Sequence, residues 1–564
     1  MTSVAEAMAR FLEAQGVELI VGQSLPSALH LAAEATNMRQ IHVRTENAGT
    51  AICDGYARRA GRVSVITAQN GPAAALLVPG LAEALKASIP IVAIVQEVDA
   101  AHREKNAFQE FDHHGLFTAC AKWVGRLDLP ERVYDFVNLA LTHAVSGRPG
   151  PTVLLVPAGV LQEQAPPAPQ RITPKARYPV DRPVASPIGL SEAARLLAAA
   201  ERPLIVAGGG AHSSGAAAEL AKLQSVHGFP VATTLMGKGI VPEDHPLSPG
   251  VIGYLLGRAA PNREVRRYVQ TADVVMFVGA RTNQNGTDGW RLFPATAQFV
   301  HIDIDGTEIG RNYDSLRLVG DARETLRALA SELADLVGPA TGVERAARLR
   351  PLVPERRPFG KCVPNDPPQG MRPERIVEAI IRLAPDDTTF VADASYASAW
   401  LCSYGLAIKP RQRFVTPRGL AGLGWGLPLA LGAALARPGA PVIALSGDGG
   451  FAHVWGELET AVRYALPVIT IVLKNGVLGY QRDAEIVKFG RHTSAIPIGE
   501  IDHAAIARAV GCAGLSVERL EDLEPALMEA LAAKGPVVVD ARTDPAAYPP
   551  VTLLDALPTA QEVA

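Results

Sequence analysis

Two short runs of glycine and polar residues stand directly behind strand-like apolar stretches in the last third of the chain. Val442–Ser446 leads into Gly447-Asp448-Gly449-Gly450, and Val468–Lys474 leads into Asn475-Gly476-Val477. Between them Val454 to Tyr464 has helical period, so the segment reads as one βαβ unit. Neighbouring parallel strands carry both tips to one crevice. There Asp448 offers a carboxylate, Asn475 an amide oxygen and Val477 a backbone carbonyl. Such a set suits magnesium, which keeps few protein ligands and shares its other positions with phosphate and water. The glycines let backbone approach a diphosphate closely. The chemistry these residues predict is a divalent cation clamping a diphosphate.

Gly-Asp-Gly, a spacer of this length and a strand-terminal Asn resemble the signature of the thiamine diphosphate-dependent enzymes. The resemblance implies that Asp448, Asn475 and Val477 hold the Mg2+ that anchors thiamine diphosphate. It also implies that Gly447, Gly449, Gly450, Leu478 and Gly479 border the cofactor. One departure is that the common Asn-Asn doublet reads Lys474-Asn475. Near the other end of the chain, His42-Val43-Arg44-Thr45-Glu46-Asn47-Ala48-Gly49, continued by Asp54-Gly55-Tyr56-Ala57-Arg58, is similar to the family's Arg-His-Glu segment. The matching glutamate is Glu46. The cofactor can lose its C2 proton only when a carboxyl group of tuned pKa faces its pyrimidine ring, and a glutamate in an apolar cleft meets that need. Taken alone, Glu46 reads more simply as an acidic first turn favoured by the helix dipole; the C-terminal motif reverses that reading. In this family the glutamate and the magnesium site belong to different subunits. The resemblance therefore implies active sites at the interface of a homodimer or homotetramer.

Other segments fall into line with the same family. Gly419 to Pro428 looks like its glycine-rich turn, in which Gly422 and Leu423 would wedge the cofactor into a bent shape; tight helix packing is the alternative use of those glycines. Asp393 to Trp400 resembles the first diphosphate-contacting loop and brings Ser395 and Tyr396 to the cofactor, although it lacks the usual glycine and the Gln-His pair. Gln69-Asn70-Gly71-Pro72 replaces a Ser-Gly-Pro-Gly turn, so Asn70, Gly71 and Pro72 are cofactor-binding candidates. Ala107-Phe108-Gln109-Glu110 matches the acetolactate synthases, which puts Phe108 and Gln109 at the substrate end. His113 and His114 are candidates for an acid/base pair like the double histidine of pyruvate decarboxylases. They stand several residues too late to align with it, and a polar helix turn is the simpler reading.

The middle of the chain carries Ala207-Gly208-Gly209-Gly210, Thr233 to Gly239, Val278-Gly279-Ala280-Arg281 and His301 to Asp305. All resemble the middle domain of acetolactate synthases and pyruvate oxidases, which often holds FAD, whereas related enzymes keep ADP or nothing there. Thr282 to Thr287 replaces the Phe-Asp-Asp-Arg of acetolactate synthases, so FAD stays open. Val251–Leu256 stands where those enzymes have Gly-Met-His, and Leu478–Asp483 where they have Gln-Trp-Glu. Those regions choose the acceptor. The expected activity is therefore C–C bond cleavage or formation on a 2-oxo acid by a carboligase or lyase. A simple decarboxylase releasing an aldehyde and a 2-hydroxyacyl-CoA lyase-like enzyme are the alternatives. A non-catalytic protein retaining the fold is opposed by the joint presence of Glu46, Asp448 and Asn475.

These residues need a scaffold that presents loops at strand ends. Short β-branched runs alternate with Ala- and Leu-rich helical stretches throughout: Val63–Thr67, Ile91–Val95, Thr152–Val156, Leu204–Ala207, Val274–Val278, Phe299–Ile304, Thr389–Ala392, Val442–Ser446, Val468–Lys474 and Val537–Val539. Strands this apolar belong in parallel sheets covered on both faces. Proline-dense stretches at Gln164–Pro187 and from Gly338 to about Pro373, including Pro364, Pro367 and Pro368, read as linkers. The expected fold is α/β, three doubly wound domains: 1–165 binding the pyrimidine, 188–337 in the middle, and 371–550 binding diphosphate and metal. A formal net charge of -3 without long like-charged runs argues against nucleic acid and anionic membrane as partners. Five scattered cysteines suggest neither zinc nor disulfides and fit a reducing cytoplasm. The opening residues Met1 to Arg10 read as an amphipathic helix rather than a signal peptide, and no apolar run is long enough to span a membrane.

Overall fold

The computed structural model describes residues 2–367 and 370–557; Met1 and Pro368 from the segments above lie outside that range. Three six-stranded, all-parallel sheets follow one another along the chain. The first contains β1 (Leu19–Gly22), β2 (Arg39–His42), β3 (Ser64–Ala68), β4 (Ile91–Glu97), β5 (Trp123–Arg126) and β6 (Thr152–Pro157) in the order β2-β1-β3-β4-β6-β5. The second contains β7 (Pro203–Ala207), β8 (Val231–Thr233), β9 (Gly250–Val251), β10 (Val274–Val278), β11 (Gln298–Asp303) and β12 (Ser315–Val319), ordered β12-β11-β10-β7-β8-β9. The third repeats the order of the first, β14-β13-β15-β16-β18-β17. Its strands are β13 (Thr389–Ala392), β14 (Arg413–Val415), β15 (Val442–Gly447), β16 (Val468–Lys474), β17 (Ala513–Val517) and β18 (Val537–Arg542).

Central strands are buried along their whole length, β3, β7, β10 and β13 among them, because helices cover both sheet faces. The first and third sheets share one core. Helix Glu46–Ala60 of the first crosses helix Gly426–Ala436 of the third, burying Ile52 and Tyr56 against Leu429 and Leu431. The middle sheet has its own cores on either face.

Two local expectations are corrected. The stretch after Gly338 is not all linker, for Pro339–Leu349 is a helix. Its one proline stands in the first turn, where no backbone N–H is needed, and the residues behind it are free of proline. The helix after β15 also differs. It begins at Asp448 itself and is split into Asp448–Phe451 and Glu457–Arg463. Among the described residues no helix is long and apolar enough to cross a membrane, and the four described cysteines are free and buried.

Candidate active site

The pairing of β15 with β16 sets Gly447 opposite Leu473, so the loops behind both strands start level with each other. The Asp448 carboxylate closes the gap. Its Oδ2 accepts the backbone N–H of Asn475 at 3.0 Å and of Gly476 at 2.8 Å, and its Oδ1 accepts that of Gly449 at 2.8 Å. Burial pushes the Asp448 carboxyl up, and these three N–H groups oppose the shift. Asn475 Oδ1 accepts the Val477 N–H at 3.1 Å, which curls the loop back over Asp448.

These residues line a cleft of about 470 Å³ together with Ser395, Tyr396, Leu423, Gly447, Gly449, Gly450, Leu478 and Gly479. The cleft lies at the switch point of the third sheet, between the loops after β13 and β15. Ser395 has φ +62°, a conformation glycine favours, and the helix Tyr396–Tyr404 begins at once behind it. Tyr396 contributes its ring only, since its hydroxyl donates to Asp483 Oδ2 at 2.6 Å. The loop bearing Leu423 is held from two sides. Buried Glu83, from the N-terminal part, accepts the N–H groups of Gly419, Leu420 and Ala421 at 2.6, 2.6 and 2.9 Å. Buried Asp393 accepts those of Gly424 and Trp425, at 3.1 and 3.0 Å. Leu423 is left 40% exposed at the cleft. Sequence reasoning gave Glu83 and Asp393 no role; each is a single carboxylate whose use depends on distant backbone.

The donor set fits a hard cation with a diphosphate. One carboxylate, one amide oxygen and one carbonyl leave positions for phosphate oxygens and water. Among the described residues no group of three or more His, Cys, Asp or Glu side chains stands ready to hold a metal without such help.

A second cluster forms in the N-terminal part. Asn70 Nδ2 donates to the carbonyls of Phe108 and Gln109, both at 3.1 Å, and Gln69 Nε2 donates to Gln109 Oε1 at 2.8 Å. Gly71 has φ +70° and abuts Gln109, and Pro72 starts the helix Pro72–Leu76. The turn and the Phe108-Gln109 loop are thereby one unit, with Phe108 84% exposed. His113 braces it from behind. The Gly71 N–H donates to His113 Nε2 at 2.9 Å, so the ring proton sits on Nδ1, which faces Glu97 Oε1 at 3.4 Å. Burial raises the Glu97 carboxyl, but hydrogen bonds from His113 and Arg126 outweigh it and hold Glu97 below the usual range. Both nitrogens of His113 are thus engaged, and His114 is exposed on the short helix His113–Thr118. The pair does not converge as an acid/base couple.

Glu46 is buried at the first turn of its helix, which Thr45 caps by accepting the Ala48 N–H. Burial raises its carboxyl. The N–H groups of Arg44 and Thr45 donate to buried Glu457 of the third sheet's layer. Glu46 nonetheless stays out of the metal-motif cleft, whose lining residues all fall between Tyr254 and Val551.

A cavity of about 600 Å³ opens between the three sheets. The middle sheet has the strand order of dinucleotide-binding folds, and the cavity lies at its switch point, bordered by Gly209 and Gly210 after β7 and Gly279–Arg281 after β10. Asp303, at the end of β11, is pushed up to about 6 by burial.

Comparison with known proteins agrees with this geometry. Residues 2–116 match the thiamine pyrophosphate enzyme N-terminal TPP binding domain, 190–329 the central domain, and 393–541 the C-terminal TPP binding domain. The chain belongs to the thiamine pyrophosphate enzymes. Within that class it is similar to the probable acetolactate synthase large subunit of Methanocaldococcus jannaschii, 33% identical over 96% of this chain and 92% of that one. The acetolactate synthase of Arthrospira platensis is 32% identical over 94% and 92%. The acetolactate synthase isozyme 3 large subunit of Escherichia coli is 29% identical over the same shares.

Proposed function

We propose that the protein is an acetolactate synthase-like carboligase that uses thiamine diphosphate and Mg2+ to break and form a C–C bond on a 2-oxo acid. The observation that supports this most is the meeting of Asp448, Asn475 and Val477 in one cleft with Leu423 on its wall. Bound thiamine diphosphate supplies a nucleophilic carbon and an electron sink. The chain's residues do the rest. Asp448, Asn475 and the Val477 carbonyl hold the cation, Leu423 shapes the cleft, and Ser395 and the glycines after β15 border the diphosphate. Glu46 of a second subunit faces the pyrimidine and holds or releases a proton there, its carboxyl already raised by burial. The unit of Asn70, Gly71, Phe108 and Gln109 closes the substrate end, with His113 as its brace. A decarboxylase relying on His113 as proton donor is less well supported, because both ring nitrogens are occupied. Working sites need two copies of the chain, in a homodimer or homotetramer.

The large cavity is suited to FAD or ADP, on the strength of the strand order and Arg281. That arginine is without a carboxylate partner among the described residues and donates to the Arg418 carbonyl at 3.3 Å. The test is to incubate the protein with thiamine diphosphate, Mg2+ and a panel of 2-oxo acids beginning with pyruvate. Acetolactate or another hydroxyketone is expected. Aldehyde alone would replace carboligation by decarboxylation, and no thiamine diphosphate-dependent product would sink the proposal. Flavin absorbance of the purified protein decides the nucleotide.

A further inference from the structure

Three residues line both the metal-motif cleft and the large cavity: Asn285, Arg418 and Ala421. Arg418 therefore stands where the two spaces meet. The residue is half-buried. Nη2 donates to the Tyr254 hydroxyl at 3.2 Å and to the Ser398 hydroxyl, both neutral. Nε is buried with no partner. The guanidinium lies 5.9 Å from the centre of the Tyr254 ring. Among the described residues no carboxylate oxygen comes within 4.0 Å of it. Of the arginines bordering the large cavity, Arg58 and Arg148 are each held by a carboxylate, Asp54 and Glu308 respectively, whereas Arg281, like Arg418, has none among the described residues. Among the described residues lining the cleft Arg418 is the one cation, and its Nη1, unlike Nε, is neither buried nor hydrogen-bonded. Its position is also fixed, because Glu83 binds the three backbone N–H groups that follow it.

A guanidinium held rigidly, with Nη1 open and no counter-charge, is matched by an anion that can accept from Nη1. We propose that Arg418 anchors the carboxylate of the substrate, setting the carbonyl beside it in register with the cofactor. The inference rests on the proposed function and deepens it: the substrate keeps its acid group until bound, and neutral carbonyl compounds enter poorly. A phosphate of a nucleotide in the adjoining cavity would offer related chemistry. The cleft side is favoured because Tyr254 and Ser398, its two side-chain partners, draw the guanidinium toward the helix Tyr396–Tyr404, whose first residues line the cleft.

The test uses the protein loaded with thiamine diphosphate and Mg2+ and measures binding calorimetrically. The ligands are oxamate (a non-reacting isostere of the pyruvate anion), the neutral oxamide, and ADP. Oxamate is expected to bind the unaltered protein more tightly than oxamide. Arg418→Gln should weaken oxamate about 10- to 100-fold, the range for hydrogen bonds to a charged group, and leave oxamide and ADP unchanged. Arg418→Lys should recover part of the loss, because charge returns without the planar fork. For a turned-over 2-oxo acid the loss should appear mainly in KM. Equal binding of oxamate and oxamide to the unaltered protein overturns the inference. So does undiminished oxamate binding in Arg418→Gln, or a loss confined to ADP. Selection of oxamate through Arg418 in a protein that turns over no 2-oxo acid leaves the inference standing while the proposed function falls.

Discussion

At the scale of single residues, the carboxyls of the site are distinguished by what surrounds them. Burial pushes the Asp448 carboxyl up, while three backbone N–H groups that it accepts oppose the shift and favour its charged form. Glu46 is buried, and burial raises its carboxyl above the ordinary 4.5, the direction that the proton-holding role proposed for it calls for. The raised value has a consequence for stability. A carboxyl with a higher pKa folded than unfolded binds more protons in the folded state, so its stabilising share is full below 4.5 and is lost as pH rises through the folded value. Glu46→Gln, which cannot ionise, should therefore melt higher than the unaltered protein at pH 8 and show no such gain at pH 4. Its turnover should fall by about 10²- to 10⁴-fold, the usual contribution of a positioned acid or base. A variant that turns over normally would remove Glu46 from the chemistry, and a melting difference independent of pH would remove the raised carboxyl.

At the scale of elements, the position of Glu46 depends on the crossing of two helices. Helices Glu46–Ala60 and Gly426–Ala436 approach until backbone touches backbone. A Cβ on Gly55 would lie 2.1 Å from the Leu429 carbonyl oxygen, and one on Gly432 would lie 2.0 Å from that of Ile52. Gly432→Ala must push the helices apart, at a cost of about 1–3 kcal/mol by the usual scale of overpacking. Its urea midpoint should fall accordingly; an unchanged midpoint would mean that the helices do not cross this closely. The sequence pattern disclosed some elements of this scaffold and hid others for a definable reason. β10, β13 and β16 coincide with their apolar runs residue for residue, because central parallel strands are buried on both faces. The edge strands β2, β5, β12 and β17 are partly exposed, carry mixed residues and gave no such run. The helix Pro339–Leu349 was masked by prolines that lie behind it. Residues inside local motifs could be singled out from the sequence, and of these Asp448, Asn475 and Leu423 do line one cleft, which Glu46 does not. Glu83, Glu97 and Arg418 could not be singled out, since each acts through a partner far away in sequence.

At the scale of the molecule, the N-terminal cluster and the metal-motif cleft are separate features of one chain. The metal-motif cleft takes no lining residue from the N-terminal part, and the Asn70–Gln109 unit ends in Phe108, an aromatic side chain left largely in solvent. Leu423 is 40% exposed in the cleft. Apolar side chains left open on both features are accounted for if a second copy covers them, each N-terminal part closing over its neighbour's cleft. Subunit mixing tests it. Glu46→Gln and Asp448→Ala proteins should each be inactive alone. Dissociated, mixed in equal amounts and reassociated, half of the dimers would pair one of each, and each mixed dimer would contain one site with neither substitution. Activity should then return to roughly a quarter of the unaltered level, as two-fold symmetry dictates. If both residues of a site came from the same chain, no arrangement of these two variants could restore it, and the mixture would stay as inactive as its parts.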